Sequence, residues 1–478
     1  MKPNQVATIK NAIKLLPDLA ASRAGHPPSL EQVFCPPGHH DALDPRRTLV
    51  IGNRGMGKSF WAGALSQPKI RERVADTYKA SGKLYDLERH KVFVAFPETV
   101  GNTSAPDKEI LKTLGKKVPW ETVWRVVVAK SLSKLTSIKL PLPLKEAVAW
   151  ARSNPEAMKS LFREADASLE RKGSAALILF DELDQLADDW RDILEITQGI
   201  LRCALALKKY NNIRAKIFMR PDQASNKGLF QFPDASKIYG ERVVLEWENC
   251  DLYGLFFHHL MRAPDSAPVV ASLVGKTNAA RLTYDPAVQR ETFALLAGEF
   301  MGQDPRRGVP YSWVPTHLAD GYGEVSPRAF LKAVKVASTF NSGAEELVFT
   351  PEALQDGVRQ ASGVRVAEIG EDYPWVPDAL APLRGILVPC DPPTVLTLWK
   401  HNGTVEDILT KYRGIRAPLE LAIAQLLDQD EEESLKNALA EIGVLEIRDN
   451  GKLNFPDIFR IGAGIKRRGG VPPQRRRH

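Results

Sequence analysis

Between residues 46 and 250, short runs of continuously apolar residues alternate with segments of helical periodicity. Strands without a polar face must be covered on both sides, which is typical of a parallel sheet flanked by helices. The pattern therefore predicts an α/β core with a helical insertion at about 98–172. The predicted strands lie at 48–51, 92–96, 176–180, 215–219 and 243–247, and the helical patterns of the insertion lie at 120–135, 144–150 and 158–169.

The remaining chain is mainly helical and divides at stretches rich in Gly and Pro. A helix and a loop precede the core, and a helical lid follows it. A connector then leads to three helical patterns and a hairpin, which is the element order of a winged helix. We expect the boundaries 1–45 for the helix and loop, 46–250 for the core, 251–340 for the lid, 341–385 for the connector, 386–465 for the winged helix and 466–478 for a basic tail.

The third helix of the predicted winged helix has clear ends. Asp430 suits its N-cap, Gly443 suits its C-terminal cap, and Asp449-Asn450-Gly451 predicts the turn of the following hairpin. Acidic residues crowd the N-terminus of this helix, the end that commonly enters the major groove of DNA. Because acids repel phosphate, they favour a protein partner for this region.

The composition is that of a folded, soluble protein, since 44% of the 478 residues are apolar and 26% are charged. The four cysteines lie far apart, without the spacing of a disulfide framework or a zinc site. Charged residues interrupt the N-terminal helix, and no stretch is long and apolar enough to span a membrane. We therefore expect a cytoplasmic protein that does not contact a membrane.

Most of the formal net charge of +7 comes from the C-terminus. Lys466, Arg467, Arg468 and the run 475–477 supply six positive charges, and no acidic residue lies among the final thirteen residues. The rest of the chain is therefore close to neutral. A basic tail of this kind either contacts nucleic acid or serves as an unselective, solubilising end.

The strongest motif is the segment 52–59, which matches GxxxxGK[ST] and lies between a predicted strand and a predicted helix. Glycines let backbone N–H groups surround a β-phosphate, and the helix N-terminus adds partial positive charge. Lys58 is predicted to contact the β- and γ-phosphates, and Ser59 is predicted to bind Mg²⁺. The predicted nucleotide-binding residues of this motif are Gly52, Asn53, Arg54, Gly55, Met56, Gly57, Lys58 and Ser59.

A second motif, Asp181-Glu182, follows the apolar run at 176–180. Asp181 is predicted to hold Mg²⁺ through water and so belongs to the same nucleotide site. Glu182 is predicted to orient and deprotonate an attacking water, which favours hydrolysis over binding alone. The alternative is that the two acids only cap a buried strand.

Three arginines are candidates for contacts with phosphate. Arg220 ends the run at 215–219 and is predicted to sense the γ-phosphate, the alternative being an ion pair with Asp222. Arg328 opens a helix of the predicted lid, where it would reach nucleotide phosphates, unless it is a solvated surface residue. Arg242 precedes the last predicted strand and is a weaker candidate for an arginine finger toward a neighbouring subunit.

Together these motifs resemble those of AAA+ ATPases, and among them the origin-recognition branch of replication initiators. Residues 181–186 look like the DExDxL Walker B motif of that branch, 251–262 look like its FxPYxxxxLxxILxxR element, and 323–337 look like its sensor-2 lid helix. The resemblance covers about 45–340 and, more loosely, 386–465. It implies a P-loop fold of the ASCE and AAA+ type.

A group of bacterial standalone P-loop ATPases is more similar still. Met219-Arg220-Pro221-Asp222 looks like the end of their sensor strand, and 454–470 resembles their C-terminus. Most AAA+ proteins carry Asn or Thr where Arg220 lies, and the interval from Lys58 to Asp181 is longer than in initiators. Both departures favour the bacterial group, whose members are often suspected in conflict and phage-defence loci.

The resemblance implies a Mg²⁺-dependent ATPase that acts as a switch, with the nucleotide state controlling contact with a protein partner or with nucleic acid. ATP is favoured over GTP because no NKxD motif is present. A nucleotide-dependent homo-oligomer is an open expectation. Two alternatives are an interaction module that holds nucleotide without hydrolysing it, and a DNA-binding ATPase like an initiator or loader, which would depend on the basic tail.

Overall fold

The computed structural model describes residues 1–17, 23, 26–82, 86–98, 105–114, 118–341, 346–412 and 430–469. The chain divides into two units, each with its own buried core. The sheet unit comprises Asp18–Glu246, and the helical unit comprises Met1–Pro17 with Trp247–His478. Within the described residues, no helix combines the length and the apolar character that crossing a membrane requires.

A parallel sheet of five strands forms the centre of the sheet unit, as far as the described residues show. The strands are β1 (Leu49–Ile51), β2 (His90–Phe96), β3 (Ala175–Phe180), β4 (Ile213–Met219) and β5 (Val243–Val244). Their order is β2-β3-β4-β1-β5, so β4 lies between β1 and β3, the strands that lead into the two nucleotide motifs. Every residue of β3 is buried, which confirms the predicted parallel sheet with both faces covered.

The last strand is shorter than the prediction of 243–247. β5 lies at the edge of the sheet and pairs with Val50 and Ile51 through two residues. The Leu245 N–H still donates to the Ile51 carbonyl at 2.7 Å, but Glu248 then caps the next helix and the extended stretch ends.

The predicted N-terminal segment 1–45 is split between the two units. Helix α1 (Pro3–Lys14) buries Val6, Ile9 and Ile13 within the helical unit. The chain from Arg23 onward belongs to the sheet unit. The apolar stripe of α1 explains the difference, because a helix with such a stripe must bury it against other helices.

The helices of the sheet unit include the predicted insertion. Three of its helices, α6, α7 and α8, lie where helical periodicity predicts them, and Trp124 of α6 packs edge-on against Phe180 of β3 at 5.6 Å. The helices of this unit are α2 (His40–Leu43), α3 (Lys58–Ser66), α4 (Pro68–Ala80), α5 (Lys108–Leu114), α6 (Trp120–Leu132), α7 (Leu144–Ser153), α8 (Pro155–Arg171), α9 (Trp190–Leu207), α10 (Pro221–Ser225) and α11 (Ser236–Tyr239).

A buried lysine joins the loop before β1 to the centre of the sheet. Lys216 of β4 has no exposed surface. Its ammonium group donates to the carbonyl oxygens of Ala42 at 2.7 Å, Asp44 at 3.0 Å and Arg47 at 2.9 Å. Burial lowers the pKa of Lys216 to about 7, and the three donors of its ammonium form match the three acceptors.

The helical unit contains a long helix where the sequence predicts a connector. Helix α18 (Pro351–Asp372) covers about half of the stretch 341–385. Thr350 caps α18 and Pro351 occupies its first turn, as in a regular helix N-terminus. The helices of this unit after α1 are α12 (Asn249–Arg262), α13 (Ser266–Val274), α14 (Lys276–Arg281), α15 (Pro286–Ala297), α16 (Pro310–Leu318), α17 (Pro327–Thr339), α18 (Pro351–Asp372), α19 (Val376–Leu380), α20 (Pro392–His401), α21 (Thr404–Lys411), α22 (Glu431–Glu441) and α23 (Asp457–Ala463).

One glycine of α18 has a packing role. A Cβ on Gly357 would lie 2.3 Å from the carbonyl oxygen of Ala333 in α17, far inside contact distance. Gly357 therefore lets the backbones of α17 and α18 approach closely. A glycine inside a helix weakens it by about 1 kcal/mol relative to alanine, and packing against α17 offsets that loss.

The C-terminal region has the predicted helix and hairpin and adds further elements. Asp430 caps α22 by accepting from the Glu433 N–H, and the antiparallel strands β7 (Glu446–Ile447) and β8 (Leu453–Asn454) flank the predicted turn. Beyond them, β9 (Lys466–Arg467) pairs in parallel with β6 (Leu387–Val388). The predicted basic tail therefore begins inside a folded element, whereas its residues 470–478, like 413–429, lie outside the described residues.

One buried carboxylate, Asp457, holds this C-terminal strand. Its Oδ1 accepts from Arg460 Nε at 2.6 Å and from Arg467 Nη1 at 3.2 Å. The imidazole of His317 in α16 lies 3.7 Å from Oδ2. Arg467 is thus a buried ion-pair partner and does not act as a solvated tail residue.

Candidate nucleotide site

The phosphate loop lies at the carboxyl edge of the sheet, because residues 52–57 turn the chain from β1 into α3. Gly57 has φ of 101°, a left-handed conformation that residues with a Cβ rarely adopt. The Gly52 N–H donates to the Met219 carbonyl at 3.1 Å, which ties the loop to β4. Met56 is buried, and Asn53 and Arg54 complete the loop. A glycine turn directly before a helix N-terminus is the geometry that binds phosphate.

Lys58 and Ser59 open α3 and face the loop and the acidic motif. The Lys58 ammonium donates to the carbonyl oxygens of Gly52 at 2.7 Å and Asn53 at 3.1 Å. The Ser59 hydroxyl makes a hydrogen bond with the carboxylate of Asp181, which follows β3. The two nucleotide motifs, which are far apart in the sequence, are therefore adjacent in the fold.

Asp181 is almost fully buried, with 2% of its surface exposed. Its backbone N–H donates to the Phe96 carbonyl at 3.0 Å, while its carboxylate accepts from Ser59 and from the Glu182 N–H. The second carboxylate oxygen, Oδ2, is buried and has no hydrogen-bond partner. Burial raises the pKa of Asp181, so the ionised form needs a further positive partner.

These donors fit Mg²⁺. The ion prefers hard oxygen ligands and usually keeps several waters, with one or two protein groups and substrate phosphates completing its coordination. Asp181 and Ser59 supply such oxygens beside the phosphate loop. In the described part of the chain, no group of three or more His, Cys, Asp or Glu side chains forms a metal cage. A Mg²⁺ here would therefore depend on the nucleotide for part of its coordination.

Glu182 adopts an unusual backbone conformation directly after Asp181. Its φ of 53° and ψ of 40° are left-handed, which costs a residue other than glycine about 1–3 kcal/mol. Burial, and then the charge of Asp181, raise the pKa of Glu182 to about 7, while Arg23 acts in the opposite direction. A carboxylate that titrates near neutral pH can accept a proton from water.

Arg220 lies at the same edge, directly after β4, but it is held by an acid. Its Nε donates to Asp222 Oδ1 at 3.2 Å and its Nη2 donates to Oδ2 at 2.9 Å. Its guanidinium also lies over the ring of Trp190, 5.2 Å from the centroid. The structure thus contains the ion pair that the sequence allows as the alternative to a γ-phosphate sensor.

The other two candidate arginines do not meet this cluster in the described contacts. Arg242 is exposed, donates to the Tyr239 carbonyl at 3.0 Å and lies 4.1 Å from the centroid of the Tyr239 ring. Arg328 belongs to α17 of the helical unit, where its Nη1 donates to Glu368 at 3.2 Å. Their predicted roles toward phosphate therefore remain predictions.

Two features near the site were missed by sequence reasoning. Arg23 is a cation that acts electrostatically on Glu182, and no motif surrounds it in the sequence. The buried His39 accepts a hydrogen bond from Trp61 of α3 at 3.0 Å, and its other ring nitrogen contacts the Glu246 carbonyl at 2.9 Å. The histidine is therefore neutral, protonated at Nε2, and links the phosphate-loop helix to the end of the sheet unit.

The strand order, the glycine loop and the acids at the carboxyl edge define an α/β fold with a phosphate loop of the P-loop kind. Strand β4 lies between β1, which leads into the phosphate loop, and β3, which ends at the two acids. The predicted fold class is confirmed for the sheet unit.

No known protein-family profile matches the chain. Two relatives are each 25% identical: the "Altered inheritance of mitochondria protein 9, mitochondrial" of Vanderwaltozyma polyspora over 189 residues and of Kluyveromyces lactis over 190 residues. Each match covers 39% of this chain, and it spans only 26% and 27% of the lengths of these relatives.

Two solved structures are similar over most of the chain. The Aeropyrum pernix ORC2 protein in ADPNP–ADP complexes is 11% identical, with a TM-score of 0.37, and the match covers 87% of this chain and 85% of that one. The Aeropyrum pernix ORC1 protein in complex with DNA is 13% identical, with a TM-score of 0.35, and the match covers 94% of both chains. At TM-scores below 0.5, the fold assignment rests on the strand order and the phosphate loop.

Proposed function

We propose that the sheet unit binds ATP with Mg²⁺ and hydrolyses it, and that the nucleotide state controls contact with a partner. The observation that carries this proposal is the buried, unpartnered Oδ2 of Asp181 beside Ser59 and the phosphate loop. A buried carboxylate oxygen without a partner is costly in a folded protein. The Mg²⁺ ion of a bound Mg²⁺–nucleotide complex would supply the missing positive charge.

Each residue of the site has a role in this proposal. The N–H groups of the loop and the Lys58 ammonium bind the β- and γ-phosphates, which requires Lys58 to exchange its carbonyl acceptors for phosphate oxygens. Ser59 and Asp181 would hold Mg²⁺, which when bound neutralises charge on the phosphates. Glu182 orients a water and accepts its proton. Arg220 would contact the γ-phosphate only after leaving Asp222.

Steady-state ATP hydrolysis and equilibrium ATP binding by purified variants test these roles. We expect Lys58→Ala to lose ATP binding and Glu182→Gln to bind ATP without turnover. Lys69→Ala in α4 and Glu170→Gln in α8 are matched controls, because both side chains are exposed and should leave activity at the wild-type level. Retained ATP affinity in Lys58→Ala, or unchanged turnover in Glu182→Gln, would contradict the proposal.

A second candidate function is a module that holds nucleotide without cleaving it. The ion pair of Arg220 with Asp222 favours this candidate, because it engages the predicted γ-phosphate sensor. Tight ATP binding without turnover, at pH 8 and at two protein concentrations, would support it. Turnover that rises with protein concentration would instead support a site shared between subunits.

For the partner, we propose a protein bound by the C-terminal region, which we interpret as a winged helix. Glu431, Glu432 and Glu433 occupy the first turn of α22, where they suit the helix dipole but repel phosphate. The alternatives are DNA and a homo-oligomer. Stimulation of hydrolysis by duplex DNA would favour an ATPase of the initiator or loader kind and count against a protein partner.

A role in bacterial conflict or antiviral defence is a further part of the proposal. Its support is the resemblance of 219–222 and 454–470 to bacterial standalone ATPases. Bacterial cells that express the wild-type chain or its Lys58→Ala variant can be challenged with phage. Protection by the wild type alone would support a nucleotide-dependent defence role, and equal survival would contradict it.

A further inference from the structure

Each end of the phosphate loop packs against a buried side chain of the sheet unit. At the end of the loop, a Cβ on Gly57 would lie 3.9 Å from Cδ1 and 4.0 Å from Nε1 of Trp61. Trp61 also donates its backbone N–H to the Gly57 carbonyl at 2.9 Å. At the start of the loop, a Cβ on Gly52 would lie 3.2 Å from the Cβ of Leu245. The loop therefore has one support at Trp61 and another at Leu245.

The buried His39 connects these two supports. Its Nδ1 lies 3.0 Å from Trp61 Nε1, and its Nε2 lies 2.9 Å from the carbonyl oxygen of Glu246, the residue after Leu245. The Leu245 N–H donates to the carbonyl of Ile51, directly before the loop, at 2.7 Å. One imidazole ring thus joins the segment beside the start of the loop to the side chain beside its end, and all of these residues belong to the sheet unit.

The two partners determine the protonation of His39. An indole N–H can only donate and a carbonyl oxygen can only accept, so Nδ1 carries no proton and Nε2 carries one. Burial lowers the pKa of His39 to about 4, so the ring stays in this neutral form at neutral pH. Because the ring is rigid, it fixes the separation of Trp61 from Glu246.

We propose that His39 is a positioning residue that sets the distance between Gly52 and Gly57 and thereby the affinity of the loop for phosphate. The inference rests on the proposed function, in which N–H groups of the loop bind nucleotide phosphates. Those N–H groups bind an anion well only when they converge on it, and displacements of about 0.5 Å are enough to weaken such a site. In this proposal His39 does not touch the nucleotide, so it affects every ligand that places a phosphate chain in the loop to the same degree.

Displacement of a fluorescent ADP analogue from the full chain, by Mg²⁺–ADP and by Mg²⁺–pyrophosphate, tests the proposal. Pyrophosphate offers the phosphate chain without a base or a sugar. His39→Gln keeps an N–H for the Glu246 carbonyl but loses the acceptor for Trp61, and His39→Asn keeps that acceptor but loses the N–H. We expect each variant to weaken both ligands by the same factor, about three- to tenfold, the equivalent of one lost hydrogen bond.

Trp61→Phe removes the same hydrogen bond from the other side. It should also weaken both ligands by one common factor. The double variant His39→Gln/Trp61→Phe should match Trp61→Phe, because the two substitutions act through one bond. Losses that add in the double variant would overturn the proposed coupling.

His40→Gln is the matched control, since the ring nitrogens of His40 contact the Pro37 carbonyl and the Asp41 carboxylate within its own segment. It should bind both ligands like the wild type, and equal weakening in this control would overturn the proposal. Weakened ADP binding with unchanged pyrophosphate binding in the His39 variants would assign His39 to the base and refute its role toward the loop. Wild-type affinity for both ligands would refute that role and leave the proposed function standing. Failure of the wild type to bind either ligand would refute the proposed function, and this inference with it.

The thermal midpoint of each variant shows whether it is folded. If both His39 variants are unfolded, Trp61→Phe carries the test. Equal weakening of ADP and pyrophosphate in Trp61→Phe would support the proposal, and wild-type affinity for both would contradict it.

Discussion

Asp181 in the sheet unit and Asp457 in the helical unit are equally buried, with 2% and 4% of their surfaces exposed, but their partners differ. Asp457 lies among Arg460, Arg467 and His317. Asp181 accepts from a hydroxyl and a backbone N–H, and one of its oxygens has no partner. The buried acid of the helical unit therefore contacts two arginines directly, whereas in the sheet unit the charge of Lys58 acts on Asp181 but one carboxylate oxygen has no hydrogen-bond partner.

The comparison teaches that the pairing of a buried charge, rather than its burial, separates a structural group from a binding group. A carboxylate surrounded by arginines is satisfied by the chain itself and stabilises the fold. A carboxylate with an unused oxygen is satisfied only when a ligand arrives. We expect substitutions at the two positions to affect different properties, stability at Asp457 and nucleotide turnover at Asp181.

The largest expected effect is the loss of stability in Asp457→Asn. The substitution leaves the guanidinium groups of Arg460 and Arg467 beside a neutral amide in a buried site. Removing one partner of a buried ion pair costs about 3–5 kcal/mol. Urea unfolding followed by tryptophan fluorescence measures the change. A midpoint equal to that of the wild type would mean that Asp457 does not hold the C-terminal strand.

Asp181→Asn should lower the turnover of ATP rather than the stability of the protein, which is the opposite of the effect expected for Asp457→Asn. Burial raises the pKa of Asp181 above its value in the unfolded chain, so its charge costs stability at neutral pH and the neutral amide should unfold at the same or a higher temperature. Hydrolysis of Mg²⁺–ATP should fall by a factor on the order of 100 or more, as when an electrostatic contact of a catalytic site is removed. A large loss of thermal stability would instead place Asp181 with Asp457, as a structural acid.

Lys216 extends the comparison to a cation. Lys216→Met fills the same space but leaves the carbonyl oxygens of Ala42, Asp44 and Arg47 without their donor. Each unsatisfied buried acceptor costs about 1–3 kcal/mol. The substitution also removes the cost of burying the ammonium, whose pKa burial lowers to about 7, so we expect a net loss of stability that is smaller than for Asp457→Asn. The same urea experiment measures it. An unchanged or increased unfolding free energy would show that the three hydrogen bonds contribute no net stability.

The smallest effect concerns the pH dependence of turnover. Glu182 acts as a base only when ionised, and its pKa is raised to about 7. The hydrolysis rate should therefore rise with pH through about 7 and level off above it. Arg23 lowers this pKa, so Arg23→Gln should move the midpoint to higher pH by a few tenths of a unit. A midpoint near the ordinary value for glutamate, or a shift to lower pH in Arg23→Gln, would contradict this assignment.

The sequence predicts the central sheet and the proximity of the two nucleotide motifs, because the strands and the motifs each have a local signal. An apolar run before Gly52 and another before Asp181 indicate buried strands, and parallel strands end at one edge of a sheet. The caps Asp430 and Gly443 likewise set the ends of α22 through local chemistry. Such signals depend on a few adjacent residues, so they can be recognised without knowledge of the tertiary contacts.

The errors arise where a distant contact decides the structure. The sequence does not reveal that Gly357 of α18 packs against the Ala333 carbonyl of α17. The sequence indicates that Arg467 is part of a solvated tail, but in the structure Arg467 forms an ion pair with Asp457. The sequence also does not predict the interaction of Arg23 with Glu182 or the ion pair of Arg328 with Glu368, because in each case the two residues share no motif.

The Lys216 ammonium has a consequence for how this chain can change in length. Its three acceptors all lie between residues 42 and 47, and Thr48 then leads into β1 and the phosphate loop. An insertion or deletion within 42–47 would pull at least one carbonyl away from the ammonium and shift the strand that positions Lys58. Point substitutions there alter only side chains. We therefore expect natural length variants to lack insertions and deletions within 42–47, and we expect engineered fusions placed there to disturb the phosphate loop. Changes of residue type within 42–47 do not carry this restriction.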